Sequence, residues 1–102
     1  MAYDEALAEQ IRGLVTDATE KKMFGGLAFL INGNMAIAAS GQGGMLVRVD
    51  PDESDELVRT TRAETMVMRG REMPGWLRVS AGDDVADWVA RGVGYARTLP
   101  PK

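Results

Sequence analysis

Arg48, Arg69, Arg71 and Arg78, with Lys21 and Lys22, could form a basic patch beside Trp76. A guanidinium is a planar fork of donors that matches a carboxylate or a phosphate, and a neighbouring aromatic ring can stack a base or anchor a protein partner. The simpler reading is that these arginines pair with the seven acidic residues between positions 48 and 78, since isolated surface ion pairs are common and weak. Two acidic groups stand out, Asp50, Asp52, Glu53, Asp55 and Glu56, and later Asp83, Asp84 and Asp87. Paired carboxylates can serve acid–base chemistry or hold Ca²⁺ or Mg²⁺. The spacing is not that of a calcium loop, and both groups fit solvated first turns of helices, where the helix dipole favours anions.

The chain has no His and no Cys. That excludes an imidazole base, a thiolate nucleophile, Cys/His zinc, haem or iron–sulfur ligation, and any disulfide. Ser40, Ser54 and Ser80 therefore lack a histidine to activate them, and no spacing supports a partnership with Lys21 or Lys22. Gly25-Gly26 after Phe24 lacks the further Gly, Lys or Ser that phosphate-cradling loops carry at fixed offsets. A bend or a close backbone approach accounts for it better, and Gly41 to Gly44 reads as a turn. No catalytic, cofactor-binding or metal-binding set is expected.

The elements that must position these residues follow from periodicity. Asp4 to about Ala18 predicts a helix, with Leu7, Ile11, Leu14, Val15 and Ala18 on one face. Met23 to Ile31 predicts a strand and Met35 to Ala39 its return, joined by Asn32-Gly33, a pair suited to the positive φ values of a tight hairpin. Met45 to Val49 completes a three-stranded antiparallel meander. Asp50 and Pro51 open a short helix to about Arg59, as cap and first helical residue. Thr65 to Arg69 and Trp76 to Val79 predict two more strands, separated by a long turn over Gly70, Pro74 and Gly75. Asp83 to Leu99 predicts the last helix, with Val85, Trp88, Val89, Gly92, Tyr95, Ala96 and Leu99 in one stripe. Helix, three strands, short helix, two strands and helix make an α+β fold with the helices mostly on one sheet face.

Alternation then sorts the strand residues. Val47 and Val49, Met66 and Met68, and Leu77 and Val79 are expected to meet the helices. Arg48, Val67, Arg69, Trp76 and Arg78 are left for the opposite face. That face should be mixed rather than wholly solvated, because the first strand is apolar on both sides.

The chain has 102 residues, 45% apolar and 26% charged, with a net charge of −3. This fits one globular domain over residues 1–102. The acidity disfavours a dedicated nucleic-acid binder. The longest apolar stretch is far shorter than the ~20 residues of a membrane span, and Met1 to Tyr3 run into acidic residues with no basic leader, so a cytoplasmic setting is expected.

Several segments in order resemble the TfoX N-terminal domain (TfoX/Sxy) family. They are Lys22 to Phe29 with Phe24, Gly25 and Gly26, then Asn32 to Met35 with Gly33, Leu46 to Val49, Met73 to Val79 with Pro74 and Gly75, an Ala-Asp-Trp-Val helix and an Ala-Arg-Thr-Leu-Pro-Pro-Lys tail. The sequence departs from the pattern at Ile37 to Ser40 and at Asp50-Pro51. The resemblance implies a secretion-chaperone-like α+β domain in a bacterial cytoplasmic protein. It supplies no catalytic residue set. The family is named for regulators of natural competence that assist a cyclic-AMP receptor protein at promoters and carry a second, C-terminal domain, and the present chain is expected to hold the first alone. The leading expectation is a non-enzymatic module that works through protein contacts as a homodimer. The alternative is a nucleic-acid-associated regulator using Arg48, Arg69, Arg71, Trp76 and Arg78. A ligand pocket or enzyme site near Phe24 to Gly26 and Trp76 ranks third.

Overall fold

Asp4 starts the first helix by accepting hydrogen bonds from the backbone N–H groups of Ala6 at 3.0 Å and Leu7 at 3.1 Å. These are orphan donors that an N-cap carboxylate satisfies. The computed structural model describes residues 3–15, 17–23, 25–41, 43–68, 70–80 and 84–101. In chain order the elements are α1 (Glu5–Leu14), β1 (Thr19–Met23), β2 (Gly26–Ile31), β3 (Asn34–Ala39), β4 (Met45–Arg48), α2 (Pro51–Thr60), β5 (Glu64–Met68), β6 (Arg71–Val79) and α3 (Val85–Ala96). Asp50 caps α2 with Pro51 in its first turn, and Asp84 caps α3 by accepting from the Asp87 N–H.

The strands form one antiparallel sheet in the order β1-β2-β3-β4-β6-β5. Asn32 and Gly33 have φ values of 54° and 84°, the left-handed pair that a two-residue hairpin needs. All three helices pack on one face. There Leu7, Ile11, Leu57, Trp88, Val89 and Ala96 meet Phe29, Ile37, Val47, Leu77 and Val79 in one buried cluster. Phe29, Ile11, Ile37 and Leu77 are almost entirely enclosed.

A bulge shapes this layer. Phe29 pairs with Ile37 but Leu30 pairs with Met35, so Ala36 is the extra residue of β3. Its carbonyl lies against Gly92, where an added Cβ would stand 2.6 Å from the oxygen. The helix can approach the sheet here only because neither partner carries bulk.

The α+β order is as expected, and several details differ. The strand expected over Met23 to Ile31 is two strands, β1 and β2, because Gly25 at φ 73° reverses the chain between them. α1 stops at Leu14, with Val15 already extended at φ −126°. The long turn expected over Gly70 to Gly75 is mostly strand. Arg71 and Glu72 pair with Met68 and Val67, and the residues between Glu72 and Leu77 form an irregularity that admits Pro74. Gly75, at φ 85°, accepts a hydrogen bond from the Val49 N–H at 2.8 Å there. Met66 lies opposite the helices instead of beneath them, because Thr65 takes the helix-side place across from Leu77. Phe24, Arg69 and Asp83 lie outside the described residues.

β1 is an edge strand, and its charged residues discourage further strand addition. On its helix side, Arg12 of α1 donates to both Glu20 oxygens at 2.6 and 2.7 Å and also pairs with Glu9. The hydrogen bond from Arg12 holds the Glu20 carboxyl below its ordinary value of 4.5. A depressed carboxylate stabilises the fold above its unfolded value and loses that contribution as pH falls through the folded value. Glu20→Gln should therefore lower the melting temperature slightly at pH 7, and the difference from wild type should shrink as pH falls through the lowered value of the folded Glu20 carboxyl. A difference that stays unchanged on acidification would contradict this pairing.

Candidate partner-binding face

The sheet face opposite the helices carries its own apolar cluster. Ala28, Ala38, Leu46 and Met66 are buried at its centre, and half-buried Leu30, Met35, Met73 and Trp76 pack around them. The cluster contains no helix residue. A six-stranded sheet normally leaves its second face polar when water covers it. The alternation Met45-Leu46-Val47 shows why this one does not, since both phases of β4 are apolar.

Arg48 and Trp76 come together at one end of β4, and Arg78 stands two residues farther along β6. Arg48 is the direct cross-strand neighbour of Trp76, and Arg78 that of Leu46. The Arg48 guanidinium lies 4.8 Å from the centre of the Trp76 ring and 5.7 Å from that of Tyr95 on α3, within the range of cation–π attraction. Its Nε is buried with no hydrogen-bond partner among the described residues. Arg78 reaches the Ser40 hydroxyl at 3.4 Å.

The other expected members of a basic patch are dispersed. Arg71 is at the β5–β6 turn, Lys21 is on the far edge opposite Ala28, and Lys22 pairs with Leu27 on the helix side. Pairing with acids is also not how Arg48 is held. The described ion pairs of arginines are Arg12 with Glu9 and Glu20, Arg59 with Glu56, Arg91 with Asp87, and Arg97 with Asp17. Tyr95, expected in the helix core stripe, is half-buried and holds Arg48 instead, while Val93 takes the core position.

Two concavities border other parts of the described surface. One of about 400 Å³ runs between Asp50 and Glu53 at the start of α2 and Arg91 and Tyr95 on α3. Another of about 410 Å³ is bordered by Arg62, Glu64, Arg78 and Ser80. Gly25, Gly26 and Trp76 line neither. The acidic residues from Asp50 to Glu56 form the first turns of α2, where the Asp50 carboxylate accepts from the Asp52 N–H at 2.9 Å. Among the described residues no group of three or more carboxylates is arranged to hold a metal ion.

A family model for the TfoX N-terminal domain matches residues 9–95. The chain belongs to the TfoX N-terminal domain family. No curated protein and no solved structure matches the chain. The match runs from within α1 nearly to the end of α3, so the TfoX N-terminal domain includes the whole sheet and the open face. No described helix is long and apolar enough to cross a membrane.

The roles of Trp76 and Arg48 in this TfoX N-terminal domain are separable by stability. Trp76→Ala removes a ring packed on the second cluster and should cost about 2–3 kcal/mol, below the range for a fully buried Trp. Arg48→Met keeps an apolar stem and deletes a donor with no partner, so it should change stability by no more than about 1 kcal/mol. Urea denaturation distinguishes them, and equal losses for the two variants would contradict this account of Arg48.

Proposed function

We propose that this TfoX N-terminal domain is a non-enzymatic regulatory module of the cytoplasm that works through protein contacts. Its working surface is the open sheet face, and the partner seated there is a second copy of the chain. The single observation behind this reading is the apolar cluster of Ala28, Ala38, Leu46 and Met66, ringed by Leu30, Met35, Met73 and Trp76 and overlaid by no helix. Apolar faces with polar rims are characteristic of contact surfaces. Membership of a family named for regulators supports a regulatory role over a catalytic one.

Nucleic-acid binding is the weaker reading. Arg48 is engaged by two rings, Lys21 and Arg71 lie apart from it, and the chain is acidic overall. Chromatography with light scattering tests the proposal. The expected mass is twice 11.0 kDa over a concentration series. A mass of 11.0 kDa throughout, with a salt-sensitive mobility shift on DNA or RNA, would replace it with the nucleic-acid reading.

A further inference from the structure

One row of residues crosses the entire open face. Lys21 pairs with Ala28, Ala28 with Ala38, Ala38 with Leu46, Leu46 with Arg78, and Arg78 with Glu64. Residues directly opposite on neighbouring strands share a face, so these six side chains stand in line. Five strand spacings separate the ends, about 24 Å. Lys21 at one end and Glu64 at the other are exposed, Ala28, Ala38 and Leu46 between them are apolar and buried, and half-buried Arg78 stands next to Glu64. The outermost residues of the row therefore carry opposite charges, Lys21 at the β1 edge and Glu64 at the β5 edge.

Two copies packed face to face through a two-fold axis have two simple choices, and both align the strands as stacked sheets prefer. An axis running across the strands places each row end over its own counterpart, Lys21 on Lys21 and Glu64 on Glu64. An axis running along the strands exchanges the ends. Each Lys21 then faces the Glu64 of the other copy, and the larger Leu46 of each copy faces the smaller Ala38 of the other. Only the second choice gives opposite charges at both ends, and it sets each Arg78 over the small Ala28 and each Leu46 over the small Ala38.

We propose that a second copy binds this face with its two-fold axis parallel to the strands, registered by two reciprocal Lys21–Glu64 pairs. The inference rests on the reading of the open face as a dimer surface and adds the orientation. Sedimentation at low ionic strength tests it with wild type, Lys21→Glu, Glu64→Lys and an equimolar mixture of the two variants. Both positions are exposed, so both variants should fold, with a slightly lower melting temperature for Glu64→Lys, which sets a lysine directly across from Arg78. Each single variant sets like charges against each other at both ends and should dimerise at least about tenfold more weakly. The mixture should recover wild-type affinity, because every end contact in the heterodimer again joins opposite charges. The differences should shrink as salt is added.

Single variants that dimerise as tightly as wild type, with a mixture tighter than either, would be the signature of the crossing axis and would overturn the proposed orientation. Four samples of equal affinity would overturn it too, while leaving a dimer through some other contact. A monomeric wild type would remove the dimer reading itself and the orientation with it.

Discussion

Gly92→Val should destabilise the protein by at least about 3 kcal/mol, a large share of the 5–15 kcal/mol that holds an ordinary domain together. A Cβ at position 92 would stand 2.6 Å from the Ala36 carbonyl oxygen and 3.2 Å from Val47 Cγ1. The first of these is backbone, in the extra residue of the β3 bulge, and it cannot turn aside as a side chain can. Glycine inside a helix costs up to about 1 kcal/mol relative to alanine, so its presence in the middle of α3 is explained by the closeness of the approach. Gly94 is the control. Two residues on, it is exposed, and an added Cβ there would have nothing within 4 Å. Gly94→Ala should therefore stabilise by about 0.4–1 kcal/mol. Equilibrium denaturation of the two variants checks both signs, and a Gly92→Val protein as stable as wild type would contradict the packing of α3 on β3.

Met35→Glu should weaken self-association by about 100-fold or more while leaving the fold in place. Met35 is half-buried on the open face of β3, a central strand. In the isolated chain its side chain still reaches water, so a carboxylate there can remain solvated. In the dimer the two copies would bring two carboxylates into the apolar middle of the face. An uncompensated buried charge costs about 3–5 kcal/mol, and each 1.4 kcal/mol is a factor of ten in affinity. The loss should appear in the dissociation constant and not in the melting temperature of the monomer.

The parts of this molecule that were legible in its sequence are those written in local chemistry. Asn32-Gly33 marks a hairpin because few other pairs tolerate positive φ twice. Asp50-Pro51 marks a helix start because one residue accepts and the other needs no donor. The α3 stripe is legible because Val85, Trp88, Val89, Gly92 and Ala96 repeat with the helix period, and all five are buried. The misplaced features depend on partners distant in sequence. Thr19 to Lys22 are polar and look like loop, yet they form an edge strand because β2 offers them a ladder. Met66 could face either way, since both sheet faces are apolar, and only the register Thr65–Leu77 decides it. The Ala36 bulge is invisible in a run as uniform as Met35 to Ala39.

The candidate face was legible in the same partial way. Alternation places Arg48, Trp76 and Arg78 opposite the helices; Trp76 and Arg78 are there, while Arg48 shares their register but reaches with its guanidinium to Tyr95 of α3. Alternation does not say that Ala28, Ala38, Leu46 and Met66 gather beside them, nor that Lys21 and Glu64 end one row, because the strand order β4-β6-β5 sets both. Tyr95 was hidden for a different reason. Its spacing fits the helix core, but it sits near the end of α3, close enough to the end of β4 to reach Arg48.

The mass of the protein in solution, measured by light scattering for wild type and Met35→Glu with a melting curve for each, bears most directly on the claim that the open sheet face is the working surface. The expected results are a wild type of twice 11.0 kDa and a Met35→Glu protein of 11.0 kDa that still unfolds in one cooperative transition, below the wild-type temperature by no more than the stabilisation that dimer formation adds. A wild type that stays at 11.0 kDa at high concentration, or a Met35→Glu protein that associates as tightly as wild type, would contradict it.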